Sequence, residues 1–341
     1  MSNIGVLGAG TWGTALARML HNNGHSVCVW SALKEEVKTL SATRRHPNLP
    51  GMEIPAGIAF TEDICEVCRQ RDILLFAVPS PFVRSTAKMA APYVQDGQII
   101  VDVAKGIEPD TLLTMTQIIA QELANPTVKL VALSGPTHAE EVAKDLPTTI
   151  VSACEDQAVA EWVQNVFWGT CMRVYTNDDV LGVELCGAVK NVIALASGVA
   201  AGLGYGDNAK AALITRGMAE ISRLGMAMGC REQTFGGLAG IGDLIVTATS
   251  VHSRNNRCGM LIGQGVPVDD AIRQVGMVVE GINALPATMT LARKYGVEMP
   301  IVEAAYQVVF EGVLPKDVVQ QLMTRGKKPE LPQAAFLNQF Q

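Results

Sequence analysis

The sequence predicts an α/β protein, with an N-terminal doubly wound, mainly parallel sheet followed by an all-α C-terminal half. Three observations carry this. From Asn3 to about Tyr175, short runs rich in Val, Ile and Leu alternate with amphipathic stretches, the pattern of strands joined by crossover helices. After Asn177-Asp178-Asp179, strand-like runs largely disappear and helical periodicity takes over. A glycine cluster, Gly8-Ala9-Gly10-Thr11-Trp12-Gly13, joins the first apolar run to the first amphipathic one.

In chain order, strands are expected at Asn3–Leu7, Ser26–Trp30, 73–77, 99–103, 129–133, 148–152 and 172–175. Most are continuously apolar, as strands covered on both faces must be. Helices are expected between them at Thr11–Asn22, 82–91, 112–122 and Gln157–Val166. The second half reads as helices at 180–199, 209–228, 253–263, Val268–Val275, 281–295 and 301–310. Gly229, Gly265 and Gly296 fall where glycines end helices. The expected organisation is one domain over residues 1–178, a helical one over 179–328 and a loosely ordered tail over 329–341.

Composition excludes several classes. Of 341 residues 48% are hydrophobic and 18% charged, enough apolar material for two cores and too much for a disordered chain. The formal net charge of −6 gives no general field for a nucleic-acid backbone or an anionic membrane. Neither nucleic-acid binding nor membrane insertion is expected. The most apolar stretch, 188–203, is interrupted by Lys190, Asn191, Gly198 and Gly202 and falls short of a bilayer span of ~20 residues. No basic segment precedes the first apolar residues, and the eight cysteines are scattered through apolar segments, so a cytoplasmic protein with reduced thiols is expected. Cys65 and Cys68 form the one close pair, on an expected helix, with no second pair or histidine to complete a metal site.

The glycine cluster is the first candidate site. Gly8 suits a tight turn, Gly10 a bare backbone and Gly13 close contact between helix and strand, while Thr11 and Trp12 open a helix whose free N–H groups suit a pyrophosphate. With strand before, helix after and further βα units following, this context reads as the dinucleotide turn of a Rossmann fold. The end of the second strand normally selects the cofactor. Here Trp30-Ser31-Ala32-Leu33-Lys34 carries no acid until Glu35, so NAD and NADP both stay open, with Lys34 tilting the balance towards NADP.

Basic groups in apolar places come next. Lys190 lies in a segment apolar on nearly every side, where a lysine must be paired, neutralised or functional. Desolvation lowers a lysine's pKa and can make it a general base near neutral pH. The alternative is a lysine that snorkels to the surface. Lys105 follows a strand at its carboxyl end, and Asp243 sits between glycine turns and an apolar run. His252-Ser253-Arg254-Asn255-Asn256-Arg257 gathers donors suited to a phosphate. In Ser134-Gly135-Pro136-Thr137-His138-Ala139-Glu140, Thr137 and Glu140 are spaced as a capping box, and His138 is a rival general base.

Together these segments resemble the soluble, bacterial-type NAD(P)-dependent glycerol-3-phosphate dehydrogenases over nearly the whole chain. The most specific stretches are 133–141, 182–191, 202–216, 240–247 and 250–257, with Val278-Val279-Glu280-Gly281. The resemblance implies reversible reduction of dihydroxyacetone phosphate to sn-glycerol 3-phosphate, the entry to glycerophospholipid synthesis. It implies Lys190 as general acid/base, with Asp243 and Lys105 beside it. Substrate contacts would be Lys105, Gly135, Thr137, Lys190, Asn191, Asp243, Thr247, Ser253, Arg254 and Asn255, with Arg254 and Asn255 gripping the phosphate. Cofactor contacts would be Gly8, Gly10, Thr11, Trp12, Gly13, Lys105, Ala139, Arg254, Val278 and Glu280, with no metal. The chain departs from the family pattern at Ala32-Leu33, where members favouring the phosphorylated cofactor often carry His or Arg. A homodimer is implied by the resemblance alone. A dehydrogenase acting on another hydroxy acid or sugar phosphate, and a non-enzymatic dinucleotide sensor, are the alternatives.

Overall fold

The computed structural model describes residues 1–330 of the 341. Of the tail expected at 329–341, residues 331–341 lie outside the described residues.

Eight strands form one sheet: β1 (Asn3–Leu7), β2 (Ser26–Trp30), β3 (Ala59–Thr61), β4 (Ile73–Phe76), β5 (Ile99–Asp102), β6 (Lys129–Ser134), β7 (Thr148–Ala153) and β8 (Met172–Asn177). Their order is β3-β2-β1-β4-β5-β6-β7-β8, and every neighbour pair is parallel except β6 with β7. The first-half sequence thus forms the expected doubly wound sheet. In register, Leu7 faces both Trp30 and Phe76, and Phe76 faces Asp102, so the carboxyl ends of β1, β2, β4 and β5 share one rim. The order reverses at β1, where such sheets open a ligand crevice.

The apolar runs explain the interior strands, since all four residues of β4 are buried. β8 instead alternates buried and exposed at Met172, Arg173, Val174 and Tyr175, as an edge strand with one face in water does. Separate cores lie against the sheet, one around Leu16, Leu20 and Val163 and another around Phe76, Ile118 and Trp30.

Beyond Asn177 all regular structure among the described residues is helical. Asp179 starts the central helix, Val180–Gly202, by accepting the Gly182 N–H on its side chain. This helix runs further than expected and is long and apolar enough to cross a membrane. Its most apolar window has a mean hydropathy of 1.6, but 83% of that window is buried inside the protein. It is the core of the second half, packed on by Leu224, Leu244, Cys258 and Leu285. The Arg254–Gly263 helix crosses it with backbones in contact. A Cβ on Gly198 would lie 2.1 Å from the Asn256 carbonyl oxygen, and one on Gly259 would lie 2.1 Å from that of Leu195. Gly229, Gly265 and Gly296 take positive φ at or just beyond helix ends, as expected.

A buried carboxylate ties the two halves together. Glu184, on the central helix, accepts from Thr114 Oγ1 at 2.7 Å, Thr116 N at 2.8 Å and Thr116 Oγ1 at 2.5 Å.

Candidate active site

A cleft of about 550 Å³ opens along the rim of the sheet and is closed on its far side by the helical half. The glycine turn forms one wall. Gly8 has φ +119°, and a Cβ there would lie 2.8 Å from the Ala77 backbone. A Cβ on Gly13 would lie 2.1 Å from the Gly8 carbonyl oxygen, so helix and strand meet there. Gly13 accordingly supports the turn from behind, whereas Gly8, Gly10, Thr11 and Trp12 line the cleft. A Cβ on Gly10 would meet nothing within 4 Å. Gly10 is the N-cap of the Thr11–Asn22 helix, which no side chain caps, so N–H groups at its start are left for a ligand. A pyrophosphate fits this open, uncapped helix start.

The lysines meet at one carboxylate. Lys105, three residues past β5, donates from Nζ to Asp243 Oδ2 at 2.6 Å and to the Gly135 carbonyl at 3.0 Å. Lys190, on the central helix, donates to Asp243 Oδ1 at 2.6 Å and to Thr247 Oγ1 at 2.6 Å. The Thr247 hydroxyl spends its own proton on the Asp243 carbonyl at 2.7 Å, so it faces Lys190 as an acceptor. The Lys190 side chain is 5% exposed and that of Asp243 1%.

Burial alone would raise the Asp243 pKa, but Lys105 and Lys190 outweigh it and hold the carboxyl below its usual range. Burial lowers the Lys190 ammonium from 10.5 to about 7, Asp243 opposing and Lys105 reinforcing the drop. Lys190 therefore titrates near neutrality beside a fixed negative charge. It does not snorkel.

Asn191, Asn255 and Gly281 form a second chain. Asn255 Nδ2 donates to Asn191 Oδ1 at 2.9 Å, Gly281 N donates to Asn255 Oδ1 at 2.8 Å, and Asn191 Nδ2 donates to the Gly187 carbonyl at 3.0 Å. Asn255 is buried and, among the described residues, keeps one amide N–H uncommitted. Ser253 caps the Arg254–Gly263 helix by accepting from Asn256 N. Arg254 lines the cleft, and no carboxylate among the described residues lies within ion-pair distance of it. The start of this helix and the free guanidinium suit a phosphate.

The remaining expected residues divide. Ala139 and Val278 line the cleft. Glu280 does too, but its carboxylate reaches across to the first half, accepting from Ser80 N at 3.1 Å and Ser80 Oγ at 2.6 Å. The capping box expected at Thr137 and Glu140 does not form. The helix starts later, at Ala139, with His138 as N-cap, and the Thr137 hydroxyl turns back to the Gly135 carbonyl at 3.0 Å. His138 Nε2 is buried without a hydrogen bond among the described residues, and its ring centroid lies 5.9 Å from that of His252. Burial first, then Lys190, lowers its pKa, so the ring is neutral at neutral pH.

Sequence reasoning missed the Ser80–Glu280 bridge and the amide chain through Asn255. Both join residues far apart in the chain, and no local pattern announces them. It also missed Glu36, which lines the cleft beyond Leu33.

Two family models cover most of the chain: the NAD-dependent glycerol-3-phosphate dehydrogenase N-terminus over residues 3–160 and the corresponding C-terminus over residues 179–320. Over 335 residues the chain is 67% identical to glycerol-3-phosphate dehydrogenase [NAD(P)+] 2 of Lactobacillus delbrueckii subsp. bulgaricus, covering 97% of this chain and 99% of that one. The chain belongs to the NAD-dependent glycerol-3-phosphate dehydrogenase family. A second member, glycerol-3-phosphate dehydrogenase [NAD(P)+] of Bacillus subtilis, is 47% identical over 333 residues, 97% of this chain and 96% of that one. The crystal structure of glycerol-3-phosphate dehydrogenase from Coxiella burnetii, 35% identical, superposes with a TM-score of 0.91 over 95% of this chain and 99% of that one. The family likeness spans both the sheet and the helices that face it across the cleft.

Proposed function

We propose that this chain interconverts dihydroxyacetone phosphate and sn-glycerol 3-phosphate with NAD or NADP; its relatives are named glycerol-3-phosphate dehydrogenase [NAD(P)+]. On this reading residues 1–178 form the dinucleotide-binding domain and 179–328 the substrate domain. The enzyme works in the cytoplasm, as a homodimer, at the entry to glycerophospholipid synthesis. The observation that carries the reading is the buried Lys190–Asp243–Lys105 cluster in the wall of a cleft that also contains an open glycine turn.

Gly8, Gly10, Thr11 and Trp12 would hold the pyrophosphate, with Ala139, Val278 and Glu280 along the same cleft. A nicotinamide held there would supply the two-electron exchange with the substrate. When the ketone is reduced, its oxygen gains negative charge, and Lys190 donates the proton it needs. In the reverse direction neutral Lys190 takes the proton from the alcohol. Asp243 orients Lys190 and balances its charge, Thr247 fixes the ammonium's direction, and Lys105 polarises the same oxygen or holds the substrate. Arg254 and the start of its helix grip the phosphate. Asn255 supports that grip from a side chain largely committed to Asn191 and Gly281. Remote binding of the phosphate positions the reacting carbon. Proton transfer falls to Lys190 rather than His138, whose ring nitrogen Nε2 is enclosed without a partner.

Oxidation of NADH and NADPH by the purified protein with dihydroxyacetone phosphate, without added metal, tests this. Turnover with either cofactor is expected. Binding of both cofactors without turnover would overturn the substrate assignment.

A further inference from the structure

The carboxyl end of β2 is where a doubly wound nucleotide fold reads the adenosine ribose. In this chain the residue after β2 is not an acid but a buried serine, Ser31, and it works through a neighbour. Ser31 Oγ donates to Glu36 Oε2 at 2.5 Å while accepting from the Leu33 N–H at 3.1 Å. Glu36 is in the first turn of the Lys34–Thr43 helix, whose positive end stabilises a carboxylate. Held by Ser31, it lines the cleft beside Ala32 and Leu33.

The cations near this end point elsewhere. Lys34 pairs with Glu62 at 3.3 Å, Arg44 donates to the Ile58 carbonyl at 2.7 Å, and Arg45 pairs with Glu53 at 3.9 Å. None of the three lines the cleft. His46 is buried close enough to feel Glu36, and burial lowers its pKa, leaving it uncharged at neutral pH. The lysines and arginines that do line the cleft, Lys105, Lys190, Arg254 and Arg257, belong to the Asp243 cluster or to the Arg254–Gly263 helix.

We infer that the Ser31–Glu36 pair makes this chain prefer the non-phosphorylated dinucleotide, with the Glu36 carboxylate accepting from the ribose hydroxyls and repelling a 2′-phosphate. The inference rests on reading the cleft as a dinucleotide site. It runs against the tilt towards NADP drawn from Lys34, because that ammonium turns to Glu62. A 2′-phosphate brought against an unneutralised carboxylate loses roughly tenfold or more in affinity.

Equilibrium titration of NADH against NADPH, and of ADP against 2′,5′-ADP, tests it in the wild type and in Glu36→Gln. Trp12 and Trp30, both in the cleft wall, supply a fluorescence signal. Gln keeps an acceptor for Ser31 and removes only the charge. The wild type is expected to bind the non-phosphorylated ligand of each pair about tenfold or more tightly, with salt narrowing the gap. In Glu36→Gln the gap shrinks several-fold through tighter binding of the phosphorylated ligands. Equal or tighter NADPH binding by the wild type, or an unchanged ratio in Glu36→Gln, would overturn the inference and leave the cofactor cleft standing. Failure of both dinucleotides to bind the wild type would overturn the two together. If Glu36→Gln does not fold, the wild-type ratios and their salt dependence decide.

Discussion

Lys105 and Lys190 share a single carboxylate, each with its Nζ 2.6 Å from a different oxygen of Asp243. Either lysine can therefore be removed without leaving Asp243 as an unpaired buried charge. Lys190→Ala is expected to fold and to bind NADH within a few-fold of the wild type, while kcat falls by roughly 10²–10⁴-fold. Stopped-flow turnover and a binding titration on the same preparation check this. Near-normal kcat would remove Lys190 from proton transfer.

The pH dependence follows from the same lysine. With Lys190 as the proposed proton donor, ketone reduction needs it protonated, so kcat/KM for reduction is expected to fall as pH rises through about 7. On the same proposal alcohol oxidation needs it neutral, so kcat/KM in that direction is expected to rise through the same region. Stability has its own sign. Between about 7 and 10.5 the unfolded chain holds a proton that folded Lys190 has lost, so this group adds stability as pH climbs through that window. Parallel pH profiles in the two directions would contradict the assignment.

Arg254→Ala is expected to raise KM for dihydroxyacetone phosphate by roughly 10–100-fold, the size of a lost charge-assisted hydrogen bond, with a smaller change in kcat. Dihydroxyacetone without its phosphate serves as the control. Its slow reduction should be indifferent to the substitution, and an equal loss with both substrates would place Arg254 elsewhere.

Two glycines in one turn should separate binding from folding. A Cβ on Gly13 collides with the Gly8 carbonyl, whereas one on Gly10 enters open cleft. Gly13→Ala is expected to lower the melting temperature markedly. Gly10→Ala should melt near the wild type yet bind NADH more weakly, because on the proposed binding mode the methyl would stand where the pyrophosphate approaches the backbone. Thermal melts with and without NADH distinguish them.

Glu184→Ala removes the acceptor of three hydrogen bonds joining the central helix to Thr114 and Thr116. Stranding buried donors costs about 1–3 kcal/mol for a group, so unfolding free energy should drop by at least that much in urea melts. A loss under about 0.5 kcal/mol, the ordinary range for a surface change, would mean the bridge contributes little.

The doubly wound half was legible because buried parallel strands leave continuous apolar runs, and β1, β2, β4 and β5 all stand where those runs are. β3 was not, since three residues, Ala59–Thr61, carry no period to read. Nor does the Lys34–Thr43 helix announce itself, with only Val37 and Leu40 buried. At the site, Lys190 stood out because a charge in an apolar helix is costly, and Asp243 because it interrupts an apolar context. Their sharing with Lys105 depends on three separate elements converging and lies in no one of them. Thr137 shows the opposite error. A good local capping pattern lost to tertiary geometry, which spends its hydroxyl on Gly135.

The crossing of the Val180–Gly202 and Arg254–Gly263 helices has a consequence for substrate choice. Lys190 rides on one and Arg254 on the other, and at Gly198 and Gly259 the helices touch main chain to main chain. On their proposed roles, the span from the Lys190 helix to the Arg254 helix is fixed at the backbone, and with Lys190 held by Asp243 and Thr247 the Arg254 side chain is left to adjust the reach. A molecule with its hydroxyl one carbon further from its phosphate would have to be met by the Arg254 side chain rather than by a shift of the helices. Sliding the crossing instead would press main chain on main chain at Gly198 and Gly259.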